Sequence, residues 1–484
     1  MSKEYVVVIG LEVHVQLKTN SKLFCGCSTE FGAGQNTHTC PVCLGLPGVL
    51  PVANKKAVEL AMLAALALKC EVQKYAKFDR KNYFYPDLPK NYQTSQKDNP
   101  FSLKGFLEIE VEGKKRIIGV TRAHLEEDAG KLVHIGAGGQ IGAAEESLVD
   151  LNRTGMPLLE IVSEPDLRSP LEAYEYLLAM KSILRYIGVS DCDMEKGTLR
   201  CDANVSLMEK GAAKFGEKVE IKNLNSFKNV QKALEYEVGR QTLALENGEK
   251  LIQETRLYNA DENVTYNMRT KEEAHDYRYF PEPDLVPFTI TDAMIAELSK
   301  KLVELPSARK SRFVSEYGLP AYDAGVLTAS KETADYFEAC VKLYNKPKAI
   351  SNLVMVDLGA LLKEAKLEIS ASPVKPENIV KLVKLVEDAV ISSKISKTVI
   401  DEMFKTGKDP ETIVKEKGLV QITDEGAIAE AVDKVLAANP KATADFHAGN
   451  ERALGSLVGQ VMKATGGKAN PQTVNKLLKQ RLCK

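Results

Sequence analysis

The sequence predicts an α+β chain: an N-terminal domain built mainly of antiparallel strands, then a helical domain and a small helical tail. Three observations predict it. Up to about residue 290 the apolar residues mostly alternate at a period of two, whereas beyond Asp292 they recur at helical spacing. Between the two regimes lies Phe280-Pro-Glu-Pro-Asp-Leu-Val-Pro287, where proline removes ladder donors and disfavours helix, so the segment is extended. A second helical run ends in the turn residues Gly407-Lys-Asp-Pro410. The expected domains are 1–291, 292–408 and 409–484, within the two to four that 484 residues allow at roughly 100–200 residues each.

Taken from the N-terminus, the first strand is Gly10-Leu-Glu-Val-His-Val-Gln-Leu17. Glu12, His14 and Gln16 share one face, and Leu11, Val13, Val15 and Leu17 share the other. A half-exposed surface strand gives the same alternation. The residue types favour a site, because Glu, His and Gln can each bind a metal or a substrate.

Cys25-Gly-Cys27 and Cys40-Pro-Val-Cys43 follow, separated by 12 residues. This spacing brings four thiolates to one ion in a closed tetrahedral zinc site, which braces a loop and leaves no open position for chemistry. His38 lies between the pairs as a possible substitute ligand. The other cysteines, Cys70, Cys192, Cys201, Cys340 and Cys483, read as packing residues.

Thr121-Arg-Ala-His-Leu-Glu-Glu-Asp128 carries three consecutive acids, Glu126, Glu127 and Asp128. They repel one another unless solvated or neutralised by a cation. Gly136–Gly142 reads as a flexible hairpin tip. In Pro157-Leu-Leu-Glu-Ile-Val-Ser163, Glu160 sits in an otherwise apolar run, where a bare charge is costly and a cation would offset it. With Glu12 and His14 these acids make an oxygen-rich site with one imidazole, a donor set that favours Mg²⁺ or Mn²⁺ over zinc.

Ser169-Pro170 reads as a helix N-cap with proline in the first turn, and Gly188 as its stop, with Tyr174, Leu177, Leu178, Leu184 and Ile187 on the apolar face. Two more strands repeat the pattern of a polar face. Arg200, Asp202 and Asn204 lie opposite Leu199, Cys201, Ala203 and Val205, and Glu220 and Lys222 lie opposite Val219 and Ile221. Asn470-Pro471 opens the last helix, with Val474, Leu477 and Leu478 apolar.

Hydrophobic residues make up 44% of the chain and charged residues 27%, which excludes a disordered protein. The N-terminal apolar run is too short for a signal peptide, and Ala61 to Leu68 stops far short of the ~20 residues that span a bilayer. The expected location is a reducing cytoplasm, without membrane association. The net charge of −1 gives no global sign of nucleic-acid binding, but Arg452 to Lys484 holds seven basic residues and no acidic one. Such a patch can bind phosphates; charge alone fits a solubilising C-terminus equally well. No Gly-Lys pair is followed by Ser or Thr, so there is no P-loop. Nor does the chain carry a Gly/Ser-rich amidase segment or a glutaminase-like cysteine setting.

The motifs together resemble the GatB family, the tRNA-binding, ATP-using subunits of the aspartyl/glutamyl-tRNA(Asn/Gln) amidotransferases. The resemblance rests on Val8–Leu17, Lys77–Gln93, His124–Lys131, Asp150–Arg153, Leu199–Ser206, Lys222–Phe227, Asp276–Asp284 and Asn470–Leu478. It runs the length of the chain. It implies a catalytic "cradle" domain, then a helical domain and a tail that bind tRNA. It also implies a heterotrimer with an amidase subunit, which releases ammonia from glutamine, and a small accessory subunit. This chain would use ATP and Mg²⁺ to phosphorylate the side-chain carboxylate of Glu-tRNA(Gln) and/or Asp-tRNA(Asn), and ammonia would displace the phosphate. On that reading His14, Glu127 and Glu160 are the metal ligands, with Glu12 and Glu220 beside them; the sequence does not fix which of Glu126, Glu127 and Asp128 takes the acid's place, because adjacent residues on a strand face opposite ways. Lys81, Arg200 and Lys222 neutralise phosphate charge, and Asp202 and Asn204 position water or the aminoacyl group. A non-catalytic tRNA-binding adaptor would explain the basic tail but not the carboxylates. A zinc hydrolase would need an open metal position, which four cysteines do not leave.

Overall fold

The computed structural model describes residues 4–136, 144–270, 277–420, 425–447, 450 and 452–482. Most of the Gly136–Gly142 stretch, Asp276, Cys483 and Lys484 lie outside the described residues. The chain divides into two compact units, the first ending at Leu305 and the second beginning at Pro306.

The first unit is organised by a nine-stranded sheet. In chain order its strands, with a short pair from a second sheet, are β1 (Tyr5–Gln16), β2 (Glu71–Val72), β3 (Asp79–Asn82), β4 (Tyr92–Ser95), β5 (Ser102–Val111), β6 (Lys114–Glu127), β7 (Pro157–Ser163), β8 (Leu199–Glu209), β9 (Val219–Lys222), β10 (Glu254–Asn259) and β11 (Val264–Thr270). The order across the large sheet is β11-β10-β9-β8-β1-β7-β6-β5-β2. Every pair in it is antiparallel except β9 with β10. β3 and β4 pair in the separate smaller sheet, where Phe280–Pro281 joins β3. The Pro-rich segment is therefore extended there as expected, and Arg80 of β3 grips the buried Glu282 through two parallel bonds of 2.7 and 2.6 Å.

One face of the sheet is the core. Ile9, Leu11, Val13 and Val15 of β1 are buried, as are Leu199, Cys201, Ala203 and Val205 of β8. Helices α1 (Pro170–Tyr186) and α2 (Phe227–Glu246) contribute to the same core. Each fully buried aliphatic side chain contributes about 1.5–3 kcal/mol by leaving water. α1 begins where Ser169 and Pro170 predict, with the Ser169 hydroxyl accepting from the Glu172 N–H, and Gly188 follows its end at φ +68°. Its buried face is Ala173, Tyr176, Leu177, Met180 and Leu184. Leu178 is 38% exposed, so the apolar stripe lies slightly round the helix from the expected one.

The helix at Asp292–Ser299 packs through Leu298 into this same core, so the switch to helix at Asp292 precedes the end of the first unit by one helix. In the second unit, one hydrophobic cluster gathers residues from Phe313 to Val414 and another from Ile428 to Leu482. Ile413 and Val414, beyond Pro410, belong to the former. In the last helix, Pro471–Leu482, Val474 and Leu478 are buried as read, and Asn470 accepts from the N–H groups of Gln472 and Thr473. No helix among the described residues is long and apolar enough to cross a membrane.

Candidate active site

The other face of the sheet is polar, and the strand registers lay its residues out in rows. Asp202 and Val162 flank Glu12, with Lys222 beyond Asp202 on the β9 side and Arg122 beyond Val162 on the β6 side. In the next row, Arg200 and Glu160 flank His14, with His124 beyond Glu160. One row further, Glu126 lies opposite Leu158, itself opposite Gln16. Five strands thus bring the polar faces read from the sequence into one surface.

Within it His14, Glu126 and Glu160 offer ligand atoms all within 4.8 Å of one another. The His14 Nε2 stands 3.5 Å from Glu126 Oε1 and 3.7 Å from Glu160 Oε2. Buried His124 points its Nε2 at Glu160 Oε2 from 3.2 Å, and its Nδ1 has no hydrogen-bond partner among the described residues. Burial and the neighbouring Glu160 charge push the Glu126 carboxyl well above the usual range. Burial pushes Glu160 the same way, but His124, His14 and Lys81 together hold it well below that range. Two carboxylates with an imidazole on the same centre fit a divalent cation. The cation would offset the burial and repulsion that push Glu126 upward.

Cations surround the cluster. Burial lowers the Lys81 ammonium, but Glu126, Tyr279 and Glu160 outweigh it and the net shift is upward. Tyr277 and Tyr83 present their rings to the same ammonium at 4.9 and 5.8 Å. Arg200 Nη2 bonds Asp128 Oδ1 at 2.8 Å. Lys222 bridges Asp202 at 2.5 Å and Glu220 at 3.1 Å, and these acids overcome its burial to raise it to about 12. Asn204 Nδ2 donates to Glu12 Oε1 at 2.9 Å.

Comparison with known proteins bears on this surface. Residues 7–296 match the family description "GatB/GatE catalytic domain", and residues 335–482 match "GatB domain". The chain belongs to the GatB family. Relatives span it end to end. The chain is similar to the GatB subunit of the aspartyl/glutamyl-tRNA(Asn/Gln) amidotransferase of Carboxydothermus hydrogenoformans, 60% identical over 482 residues and covering 100% of both chains. It is similar to the same-named subunit of Moorella thermoacetica, at 58% over 480 residues, 99% of this chain and 100% of that one. The same-named subunit of Thermoanaerobacter sp. strain X514 is 57% identical over 481 residues, with the same coverage.

Against the GatB reading of the sequence, two acids stand elsewhere. The acid that joins His14 and Glu160 is Glu126, not Glu127. Adjacent residues on a strand face opposite ways, and Glu127 turns to the far side. There it is buried, pairs with Lys90 and accepts from the Thr94 N–H at 2.9 Å. This pair lines a cavity of about 240 Å³ that also touches Cys25 and Cys43. Glu220 stands apart from the triad, held by Lys222 and by the Thr255 hydroxyl at 2.8 Å. His124 and Lys90 were not singled out from the sequence. His124 shares parity with Glu126, opposite apolar Ala123 and Leu125, and that signal was there to be read.

The second cluster is Cys25, Cys27, Cys40 and Cys43, whose sulfurs also lie within 4.8 Å of one another and could hold a metal. A hydrogen bond from Cys25 draws the Cys43 thiol down to about 5, and the buried Lys22, 3.7 Å from the Cys43 sulfur, favours the thiolate. His38 is absent from the sulfur cluster; its carbonyl accepts from Lys22 Nζ at 2.7 Å. In the last cluster of helices, Lys476 pairs with Glu425 and Arg481 with Asp433, so part of the basic tail is neutralised locally.

Proposed function

We propose that this chain is the GatB subunit of a tRNA-dependent amidotransferase, and that it activates the side-chain carboxylate of Glu-tRNA(Gln) and/or Asp-tRNA(Asn) by transferring a phosphoryl group from ATP. The observation that carries the reading is the placing of His14, Glu126 and Glu160 on one sheet face with Arg200 and Lys222, beside Lys81 of the smaller sheet. Full-length likeness to proteins named as such subunits supports it. Mg²⁺ held by His14, Glu126 and Glu160 would supply charge neutralisation for the polyphosphate.

The chain's own residues do the rest. A carboxylate is a poor electrophile, and phosphorylation gives it a leaving group; the protein's task is then positioning and charge compensation. Lys81, walled by tyrosines and close to the acid cluster, is placed to meet phosphoryl oxygens. Arg200 and Lys222 are already oriented by Asp128 and Asp202, so they meet substrate charge with little reorganisation. Glu12, fixed by Asn204, stands one row from His14 and orients groups bound there. Ammonia comes from an amidase partner, with a small third subunit completing the assembly. The four cysteines hold structural zinc, the helical second unit binds tRNA, and the enzyme works in the cytoplasm.

The test is reconstitution with amidase and small subunits, measuring ADP release that depends on mischarged tRNA, with Glu-tRNA(Gln) and Asp-tRNA(Asn) assayed side by side. His14→Ala and Glu126→Ala are expected to lower release at least ~100-fold, the scale of one lost electrostatic stabiliser. Unchanged release in either variant refutes the assignment. Release without tRNA dependence refutes the reaction.

A further inference from the structure

Asp128 stands between two arginines. Its Oδ1 accepts from Arg200 Nη2 at 2.8 Å, and its Oδ2 faces Arg153 Nε at 3.6 Å. Asp128 is buried, and Oδ2 has no hydrogen-bond partner among the described residues. A buried carboxylate needs a compensating charge, and for this oxygen Arg153 supplies it.

The turn that carries Asp128 is tightly held. The Asp128 N–H donates to the Met156 carbonyl at 2.9 Å, and the Asp128 carbonyl accepts from the Gly155 N–H at 2.9 Å. The Arg153 guanidinium donates to the Ala129 carbonyl at 3.1 Å and to the Gly130 carbonyl at 2.5 Å. A Cβ on Gly130 would come within 2.9 Å of the Asp150 carbonyl oxygen and 3.0 Å of that of Asp87, so a side chain there would push the turn away from Asp150.

Arg153 is set in turn by the loop between the two cysteine pairs. The Asn36 N–H donates to Asp150 Oδ1 at 3.2 Å. Its side chain donates to the Val149 carbonyl at 3.0 Å and accepts from the Leu151 N–H at 2.8 Å. Asn152 bonds in the other direction: its Oδ1 accepts from the His38 N–H at 2.8 Å, and its Nδ2 donates to the Gly34 carbonyl at 2.6 Å. Buried Lys22 donates to the His38 and Leu151 carbonyls at 2.7 and 3.4 Å and lies 3.7 Å from the Cys43 sulfur. Residues 34–38 are thus stitched to residues 149–152, directly before Arg153.

We propose that Arg153 is a positioning residue for the phosphoryl transfer: it holds the Asp128 carboxylate against Arg200, and the cysteine loop, through Asn36 and Asn152, holds Arg153. The inference rests on the ATP reading above, in which Arg200 meets phosphoryl charge, and adds what the cysteine loop contributes to it. Arginine has a long side chain with many rotamers, so its charge reaches one place only when a partner fixes it. A displacement of about 1 Å in such a group can slow a reaction about 100-fold.

A double-mutant cycle in the reconstituted complex, read as ADP release that depends on mischarged tRNA, tests it. Arg153→Ala should lower kcat at least ~10-fold and leave the KM for mischarged tRNA unchanged. In an Arg200→Ala background the same change should cost less than about twofold more, because the group it acts through is gone. Asn152→Ala leaves Arg153 and all four cysteines in place; it should lower kcat in the same way, with the metal content and Tm of the wild type. Arg153 is a third exposed, so its variant should fold, and Asn152→Ala tests the same link if it does not. Wild-type kcat in Arg153→Ala, or losses that multiply in the double variant, overturn the proposal while leaving the ATP reading intact. Wild-type kcat in Asn152→Ala overturns the link to the cysteine loop. Wild-type kcat in Arg200→Ala refutes the role that the ATP reading gives Arg200, and the inference with it.

Discussion

Replacing Glu126 by glutamine should stabilise the metal-free chain, although it removes a residue from the centre of the site. The Glu126 and Glu160 ligand oxygens are no more than 4.8 Å apart. Two full charges at that separation repel by about 3.5 kcal/mol at an effective dielectric of about 20. The folded chain lessens this by favouring the neutral form of Glu126, whose carboxyl burial and Glu160 push upward. The linkage then has a definite sign. A carboxyl with a raised folded-state pKa contributes stability that is fully present below its unfolded value, about 4.3. That stability is lost as pH rises toward the folded value, by about 1.4 kcal/mol per unit. Glutamine removes this decline, so the advantage of Glu126→Gln should grow from pH 5 to pH 8. Mg²⁺ should stabilise the wild type far more than the variant. At about 100 times its Kd, it adds about 2.7 kcal/mol to a chain that binds it only when folded. At roughly 2–4 °C per kcal/mol, that is a rise in Tm of about 5–10 °C for the wild type and little for the variant. Thermal unfolding after chelation, with and without Mg²⁺ at pH 5, 7 and 8, reads both effects. A metal-free variant less stable than wild type at pH 8, or an equal Mg²⁺ shift in both, would refute the reasoning.

Lys90→Met should cost about 3–5 kcal/mol in urea unfolding, because it strands the buried Glu127 charge, and Lys90→Met/Glu127→Gln should recover most of it; a neutral single variant would mean the pair is hydrated. Elemental analysis should find one zinc per chain, and Cys43→Ser should release it and lower Tm; zinc-free wild-type protein of normal stability removes the metal from the Cys25–Cys43 loop. Truncation after residue 420, which spares the packed Ile413 and Val414, should weaken tRNA binding and flatten its salt dependence. Wild-type affinity at low salt would show that the tail carries no phosphate contacts.

Much of this site was legible because a sheet converts sequence parity into sidedness. Glu12, His14, Arg200, Asp202, Asn204 and Lys222 each stood in an alternating run and Glu160 in an otherwise apolar one, and the registers placed them together. Parity fails at strand ends. Glu127 follows Leu125 on the apolar side, but at the last residue of β6 that side is no longer the core, and it faces Lys90 instead. The run of three acids hid this, since any of them satisfies a demand for charge. Domain limits were legible only as changes of periodicity. The helix at Asp292 changes the period but stays with the sheet, because where a helix packs depends on distant partners such as those around Leu298. Pairings such as Arg200 with Asp128 join residues 72 positions apart, and no local pattern announces them.

The central place of β1 has a consequence for how the chain is made. Both its neighbours come late: β7 begins at Pro157 and β8 ends at Glu209. At about 5–20 residues per second, β1 leaves the ribosome roughly 10–40 s before its second neighbour is complete. For that interval an apolar strand, Tyr5-Val-Val-Val-Ile-Gly-Leu, keeps at least one open edge, the hazard that folded proteins take care to cover. The strand that carries Glu12 and His14 is thus made well before the strands that pair with it. Nascent chains stalled before residue 199 should depend on holding chaperones in a way that released chains do not.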